Sequence, residues 1–272
     1  MPDQLAHIRF ARRVLEAADP SVRARVDADS MAFRCGTFGP DPLFNDPLPS
    51  GRAEGFGLHR KPGRIALERM RAPVRAGMPC AADYAAGFFC HYALDRLCHP
   101  ELKAMAERGE AQHVAVETAY DRVLLARSGD DVPRRIQLTD SAVRAAAAMY
   151  EGISPARFRV DLAVYWRIRC FSLFRGSSIL APIPGIIKSS LDGLIPYATP
   201  SPGVVRGMEM LEARIEASIA PATEQLNLYF AALDADLPLD VWTDVDFAGG
   251  STPGTPAKGN DSPWNPHHKE SL

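Results

Sequence analysis

The chain has 272 residues, 46% of them hydrophobic, and a formal net charge of -2. That length suits one large domain or two small ones with a real core, and the near-neutral charge gives no electrostatic reason to expect nucleic acid or an anionic membrane surface. The five cysteines, Cys35, Cys80, Cys90, Cys98 and Cys170, are an odd number without paired spacing, so they read as small apolar fillers rather than a disulfide framework.

The first stretch, MPDQLAHIRFARRVLEA, carries Asp3, Arg9, Arg12, Arg13 and Glu16 where a secretory signal needs an unbroken apolar run, so a folded cytoplasmic protein is expected. Leu5, Ile8, Val14 and Leu15 recur at helical spacing, which predicts a first helix with His7 at the edge of its apolar stripe. From Phe33 to Gly57, glycine and proline dissolve the pattern and predict a long loop of functional type, with Asp41 between two prolines. His59 follows, and Ile65, Ala66, Leu67 and Met70 predict a short helix ending near Pro73.

A long helix is predicted from Ala81 to Leu97, with Pro100 as its stop and His99 projecting from its end. The next, from Glu110 to Arg127, turns Val116, Val123 and Leu124 towards the core. Asp140 to Glu151 is alanine-rich and helical. Ala156 to Phe174 is an apolar-aromatic helix with Arg157, Arg159, Arg167 and Arg169 on it and Arg175 just beyond. This series reads first as a solvated or carboxylate-paired face and second as a phosphate contact.

The most apolar stretch, Ile179 to Ile195, is interrupted by Pro182, Pro184, Lys188 and Asp192 and fails as a membrane span. It reads as a proline-punctuated connection on the core, the alternative being a segment that closes over a site or lies against lipid. A further helix starts near Val204, is broken by Pro221 and resumes to Leu233. No period-two strand appears, so an all-α, multi-helix bundle with long irregular loops is predicted over residues 1–248. The tail 249–272 is low in hydrophobicity and expected to be flexible or draped on the surface, with Trp264 as an anchor and His267 and His268 as a polar pair.

The chemistry concentrates in CHYALDRLCHP, where His91 and Asp95 are four residues apart and His99 follows four later, and in AQHVAVETAYDR, where His113 and Glu117 repeat the spacing. Side chains four apart stack on one helix face, so each pair can grip an ion. With the tail set aside, His7, His59, His91, His99 and His113 all fall in this frame. A single histidine is ordinarily a core residue with satisfied hydrogen bonds. Five, with two helical histidine-carboxylate pairs, point instead to metal, and imidazole plus carboxylate without thiolate is the donor set of catalytic zinc.

These residues resemble the zinc-dependent phospholipase C family, whose all-helical fold is shared with the P1/S1 type nucleases. The likeness rests on His7, the GPD of Gly39 to Asp41, His59, HYALDRLCHP from His91 to Pro100 and HVAVE from His113 to Glu117, matching in order and approximate spacing. It implies zinc ions at the bottom of a cleft. Asp41, His59 and His91 would hold one, and His99, His113 and Glu117 a more exposed one. His7 would hold a third with the chain's amino terminus, and Asp95 would bridge that ion to the first. Secreted members use a processed terminal tryptophan here; this chain has none near its start, and the Pro2 amine left by removal of Met1 would take its place, whereas retention of Met1 would leave a site of two ions.

The resemblance implies hydrolysis of a phosphate ester, with Asp41 orienting or deprotonating the attacking water. A phosphodiester substrate of phospholipase C type is expected, with phospholipid among the candidates. Tyr165, Trp166 and Phe171 read as ordinary core or as lining of the cleft. The alternatives are a single-strand nuclease, against which the charge argues, a soluble phosphoesterase, and a non-catalytic zinc-binding scaffold.

Overall fold

The computed structural model describes residues 4–128, 136–174 and 200–250. Helices α1 (Gln4–Ala17), α2 (Pro20–Arg23) and α3 (Met31–Gly36) are followed by a 3-10 turn, Asp41–Asn45. Next come α4 (Pro49–His59), α5 (Gly63–Leu67), the 3-10 turn Glu68–Met70 and α6 (Arg71–Arg75). The long α7 (Ala81–Glu107), α8 (His113–Ser128), α9 (Asp140–Ala147), α10 (Pro155–Phe174) and α11 (Pro202–Ala235) complete the set, with a last 3-10 turn at Val241–Asp244. No strand occurs among the described residues, and the protein is all-α as its periodicity predicts.

A helix apolar all round belongs in the middle of a core, and α7 is one: Ala85, Phe88, Phe89, Tyr92 and Leu94 are all fully buried. It packs against α3, α11, α1 and α9. The crossing with α3 is a close backbone approach. A Cβ at Gly87 would lie 2.2 Å from the Phe33 carbonyl oxygen, and one at Gly36 2.4 Å from that of Tyr84. Only glycine allows this contact, which delivers residues 37–41 to the face of α7 that carries His91 and Asp95.

Four expectations are corrected. Helix α7 does not stop at Pro100 but runs to Glu107, with the proline inside it. An internal proline costs about 3 kcal/mol, and burial of Leu102 and Met105 beyond it, at roughly 1.5–3 kcal/mol per side chain, offsets that. His99 is therefore a buried mid-helix residue rather than a projecting end. Helix α11 likewise continues through Pro221, held by buried Leu211, Ile215, Ala222 and Leu226 on both sides of it.

The stretch from Phe33 to Gly57 is not one long loop. It holds most of α3, capped where the Ser30 hydroxyl accepts the Phe33 N–H over 3.0 Å, and most of α4, which starts on Pro49. Gly36, Gly39, Gly51 and Gly55 serve close packing rather than flexibility: a Cβ at Gly51 would lie 1.8 Å from Asp46 Oδ2.

The carboxylate-paired reading describes two arginines of α10, since Arg157 Nε donates to Asp46 and Arg159 Nη2 to Asp140, each over 2.6 Å. Arg169 is buried, its guanidinium 5.5 Å from the centre of the Tyr165 ring. Cys35, Cys80, Cys90 and Cys98 are free thiols, and burial pushes Cys35, Cys90 and Cys98 well above the usual thiol range, as suits fillers. Residues 1–3, the stretch Ile179 to Ile195, Arg175, the side chains of Cys170 and Phe171, and the tail with Trp264, His267 and His268 lie outside the described residues.

Candidate metal centre

Helix α7 supplies the spine of the site. His91, Asp95 and His99 stand on successive turns of one face, and all three are buried. Asp95 divides its oxygens between two sides. Oδ2 lies 3.3 Å from His91 Nε2 and 3.9 Å from His59 Nε2, while Oδ1 lies 3.3 Å from His7 Nε2 and 3.5 Å from His99 Nε2. His59, at the end of α4, also approaches Asp41 Oδ1 at 3.2 Å, and His91 reaches the same oxygen at 3.9 Å. His7, from the second turn of α1, stacks on His91 with ring centres 4.4 Å apart.

Two groups of potential ligand atoms thus come together: His7, His91 and Asp95, and Asp41, His59 and His91. The third set is looser. His99 Nε2 is 3.8 Å from Glu117 Oε1, and the half-buried ring of His113 lies 6.1 Å from that of His99.

The far nitrogens of two histidines fix their protonation. His91 Nδ1 is 3.1 Å from the Thr37 carbonyl and His59 Nδ1 is 3.0 Å from that of Gly55. A carbonyl only accepts, so the proton of each neutral ring sits on Nδ1 and the Nε2 lone pair faces the carboxylates. Backbone partners of this kind are those that orient metal-ligating histidines.

Asp41 is placed by the turn before it. Gly39 has φ +52, and a Cβ there would fall 2.1 Å from His91 Cδ2, so the chain passes the histidine only without a side chain. Tyr150 Oη donates to the Gly39 carbonyl over 2.6 Å and is itself 2.6 Å from Tyr84 Oη. Tyr165 Oη donates to Asp41 Oδ2 at 3.4 Å. Phe44 and Phe247 wall the other side of His59, with ring centres 4.8 and 4.9 Å away.

This burial shifts the titrations. Desolvation pushes His91 down to about 4 against the pull of Asp95, pushes His113 down to about 3, and holds His99 well below its usual range. Burial pushes His59 down as well, but the Asp41 and Asp95 carboxylates outweigh it and the ring ends above its ordinary value. Asp41 is lowered because His91 and His59 outweigh its burial, whereas burial holds Asp95 above the usual carboxylate range.

The donor set fits a metal. Nε2 of His59, His91 and His99, Oδ1 of Asp41 and both oxygens of Asp95 make no hydrogen bond. Among the described residues only histidines approach Asp41 and Asp95 within ion-pair distance. Nε2 and carboxylate oxygen atoms face one another at 3.2–3.5 Å, and the His91 lone pair and the Asp95 carboxylate among them repel unless a cation lies between them. Donors about 2.0–2.1 Å from one zinc in tetrahedral arrangement are about 3.4 Å apart, which agrees with those separations.

An all-helical core with a buried cluster of imidazoles and carboxylates places the chain among helical proteins with side chains that could hold a metal. A family model for zinc dependent phospholipase C matches residues 6–164, more than half of the chain, and the chain belongs to that family. At this level it is a phospholipase C type zinc hydrolase. No curated protein and no solved structure matches it.

The periodicity of the sequence does not announce several residues that build the site. Tyr150 and Tyr84 act on the Gly39 turn, Thr37 and Gly55 offer backbone carbonyls, and Phe247 arrives from the far end of the chain. Of these only Gly39, within its GPD, carries a readable signal.

Proposed function

We propose that the chain hydrolyses a phosphodiester at a cluster of two or three zinc ions, a phospholipid headgroup linkage being the first substrate to test. One observation carries the reading. The His91 ring has its proton committed to the Thr37 carbonyl and its lone pair 3.3 Å from Asp95 Oδ2, an arrangement that calls for a cation in between. Asp41, His59 and His91 would hold one ion, His99, His113 and Glu117 another, and His7 a third, with Asp95 as the bridging carboxylate.

Zinc supplies Lewis acidity, which makes water nucleophilic near neutral pH and offsets charge on phosphoryl oxygens. The chain's own groups do the rest. Asp41, held ionised by its histidine neighbours, orients or deprotonates the attacking water. Tyr165, bonded to the other oxygen of Asp41, keeps that carboxylate in one orientation. The apolar walls of Phe44 and Phe247 limit bulk water, which strengthens every charge interaction inside.

The test is zinc content measured alongside hydrolysis of a chromogenic phosphodiester and of phospholipid vesicles, in wild type, Asp41→Asn and Glu117→Gln. Zinc at two or three per chain, with turnover lost in Asp41→Asn and on chelation, is expected. Turnover in metal-stripped protein would overturn the mechanism. Stoichiometric zinc with no turnover on lipid, nucleotide or generic phosphodiesters would favour a non-catalytic zinc scaffold.

A further inference from the structure

Helix α8 carries a second acid in register with the pair proposed for the metal site. His113, Glu117 and Asp121 follow one another at intervals of four, so they lie along one face. Asp121 is fully buried and faces the start of α1. Its Oδ2 accepts the Leu5 N–H over 2.7 Å and its Oδ1 the Ala6 N–H over 2.8 Å, across more than a hundred residues of sequence. These N–H groups belong to the first turn of α1, where no partner exists within the helix, and the positive end of the helix dipole favours a carboxylate there. The next residue is His7, whose Nε2 stands 3.3 Å from Asp95 Oδ1.

We propose that Asp121 is a positioning residue for the His7 ligand. It clamps the first turn of α1 to α8, so the place of His7 is set by the same helix face that presents His113 and Glu117. Three helices then meet at the cluster with fixed spacing: α7 bears Asp95, α8 bears Glu117, and α1 is tied to α8 through Asp121. The inference rests on the zinc reading above, but it concerns a residue outside every ligand set.

Asp121→Asn preserves shape and one acceptor oxygen and removes the charge. It is tested with Asp121→Ala, His7→Ala and the His7→Ala/Asp121→Asn double variant, by chelator titration of bound zinc and by hydrogen exchange at Leu5 and Ala6. In Asp121→Asn one ion per chain should leave at about 10–100-fold lower free chelator, the usual effect of losing an outer partner of a ligand, while the remaining zinc is held as in wild type. Exchange should rise at Leu5 and Ala6 but not along α7. In the His7→Ala background the Asn change should add nothing, since two residues acting on one ion are not additive.

Equal weakening of every ion, an unchanged chelator profile, an additive double variant, or no zinc lost in His7→Ala would each overturn it. Should Asp121→Ala fail to fold, Asp121→Asn decides. A wild type that binds no zinc overturns the zinc reading and this one together, whereas a zinc-replete wild type with an indifferent Asp121→Asn overturns this one alone.

Discussion

The ring of His91 occupies the space that a side chain on residue 39 would need, with an added Cβ at Gly39 falling 2.1 Å from His91 Cδ2. The turn that carries Asp41 and the ring that faces it are therefore fitted to each other. Gly39→Ala combines a left-handed backbone conformation, at about 1–2 kcal/mol, with overpacking at about 1–3 kcal/mol. Urea denaturation should show a loss of that combined order, and zinc content should fall with it because His91 must move.

Tyr150 holds the same turn from the other side. Tyr150→Phe deletes the donor to the Gly39 carbonyl and leaves Tyr84 Oη without this partner, all in a buried setting. A lost buried hydrogen bond of this kind costs about 1–3 kcal/mol. The expected result is a lower denaturation midpoint with weaker zinc binding, and a Tyr84→Phe/Tyr150→Phe double variant less destabilised than the sum of the singles.

The histidines proposed as ligands separate in their response to pH. His91, pushed down to about 4, needs no deprotonation to bind metal at neutral pH. His59, held above its usual value by Asp41 and Asp95 against its burial, keeps its proton to higher pH than an ordinary imidazole. Zinc must displace that proton to bind, so uptake should release protons and affinity should fall as pH drops through the raised His59 value. Calorimetry in buffers of different ionisation heat measures the proton. A pH-independent affinity between 6 and 8 would contradict the assignment.

In the metal-free protein the signs run differently. His91 is depressed in the folded state, so between its native value of about 4 and roughly 6.5 when unfolded the unfolded chain binds more protons. Its contribution to stability is intact above that window and lost as pH falls through it. His99 and His113 act in the same direction. The raised His59 and Asp95 oppose it, each losing its contribution as pH rises through its folded value. Metal-free protein should show a falling thermal midpoint below about pH 6.5, and zinc should flatten the slope by stabilising the folded state.

Position in the cluster predicts which variants lose more than one ion. Asp95, fully buried and shared between His7, His91 and His99 within 3.5 Å, is the hub, so Asp95→Asn should release more than one zinc per chain. His113 is half-buried at the edge, its ring 6.1 Å from that of His99, and His113→Ala should release one. Metal analysis of the purified variants distinguishes the two patterns.

The sequence by itself determined the pairs and the helices that bear them. His91 with Asp95 and His113 with Glu117 are legible because the pitch of an α-helix puts residues four apart on one face, whatever surrounds them. The all-α class followed from the same periodicity. Tertiary structure decided whatever depends on elements meeting. It carried α7 through Pro100, because buried contacts beyond the proline outweigh its local cost, and it folded glycines read as loop into tightly packed helices. It also joined His7, Asp41 and His59 to the α7 face through a glycine crossing, a tyrosine bonded to a turn carbonyl and an aspartate gripping the start of another helix. Backbone geometry fixes spacing along one helix, whereas the approach of separate helices rests on packing and backbone hydrogen bonds that leave no periodic mark in the sequence.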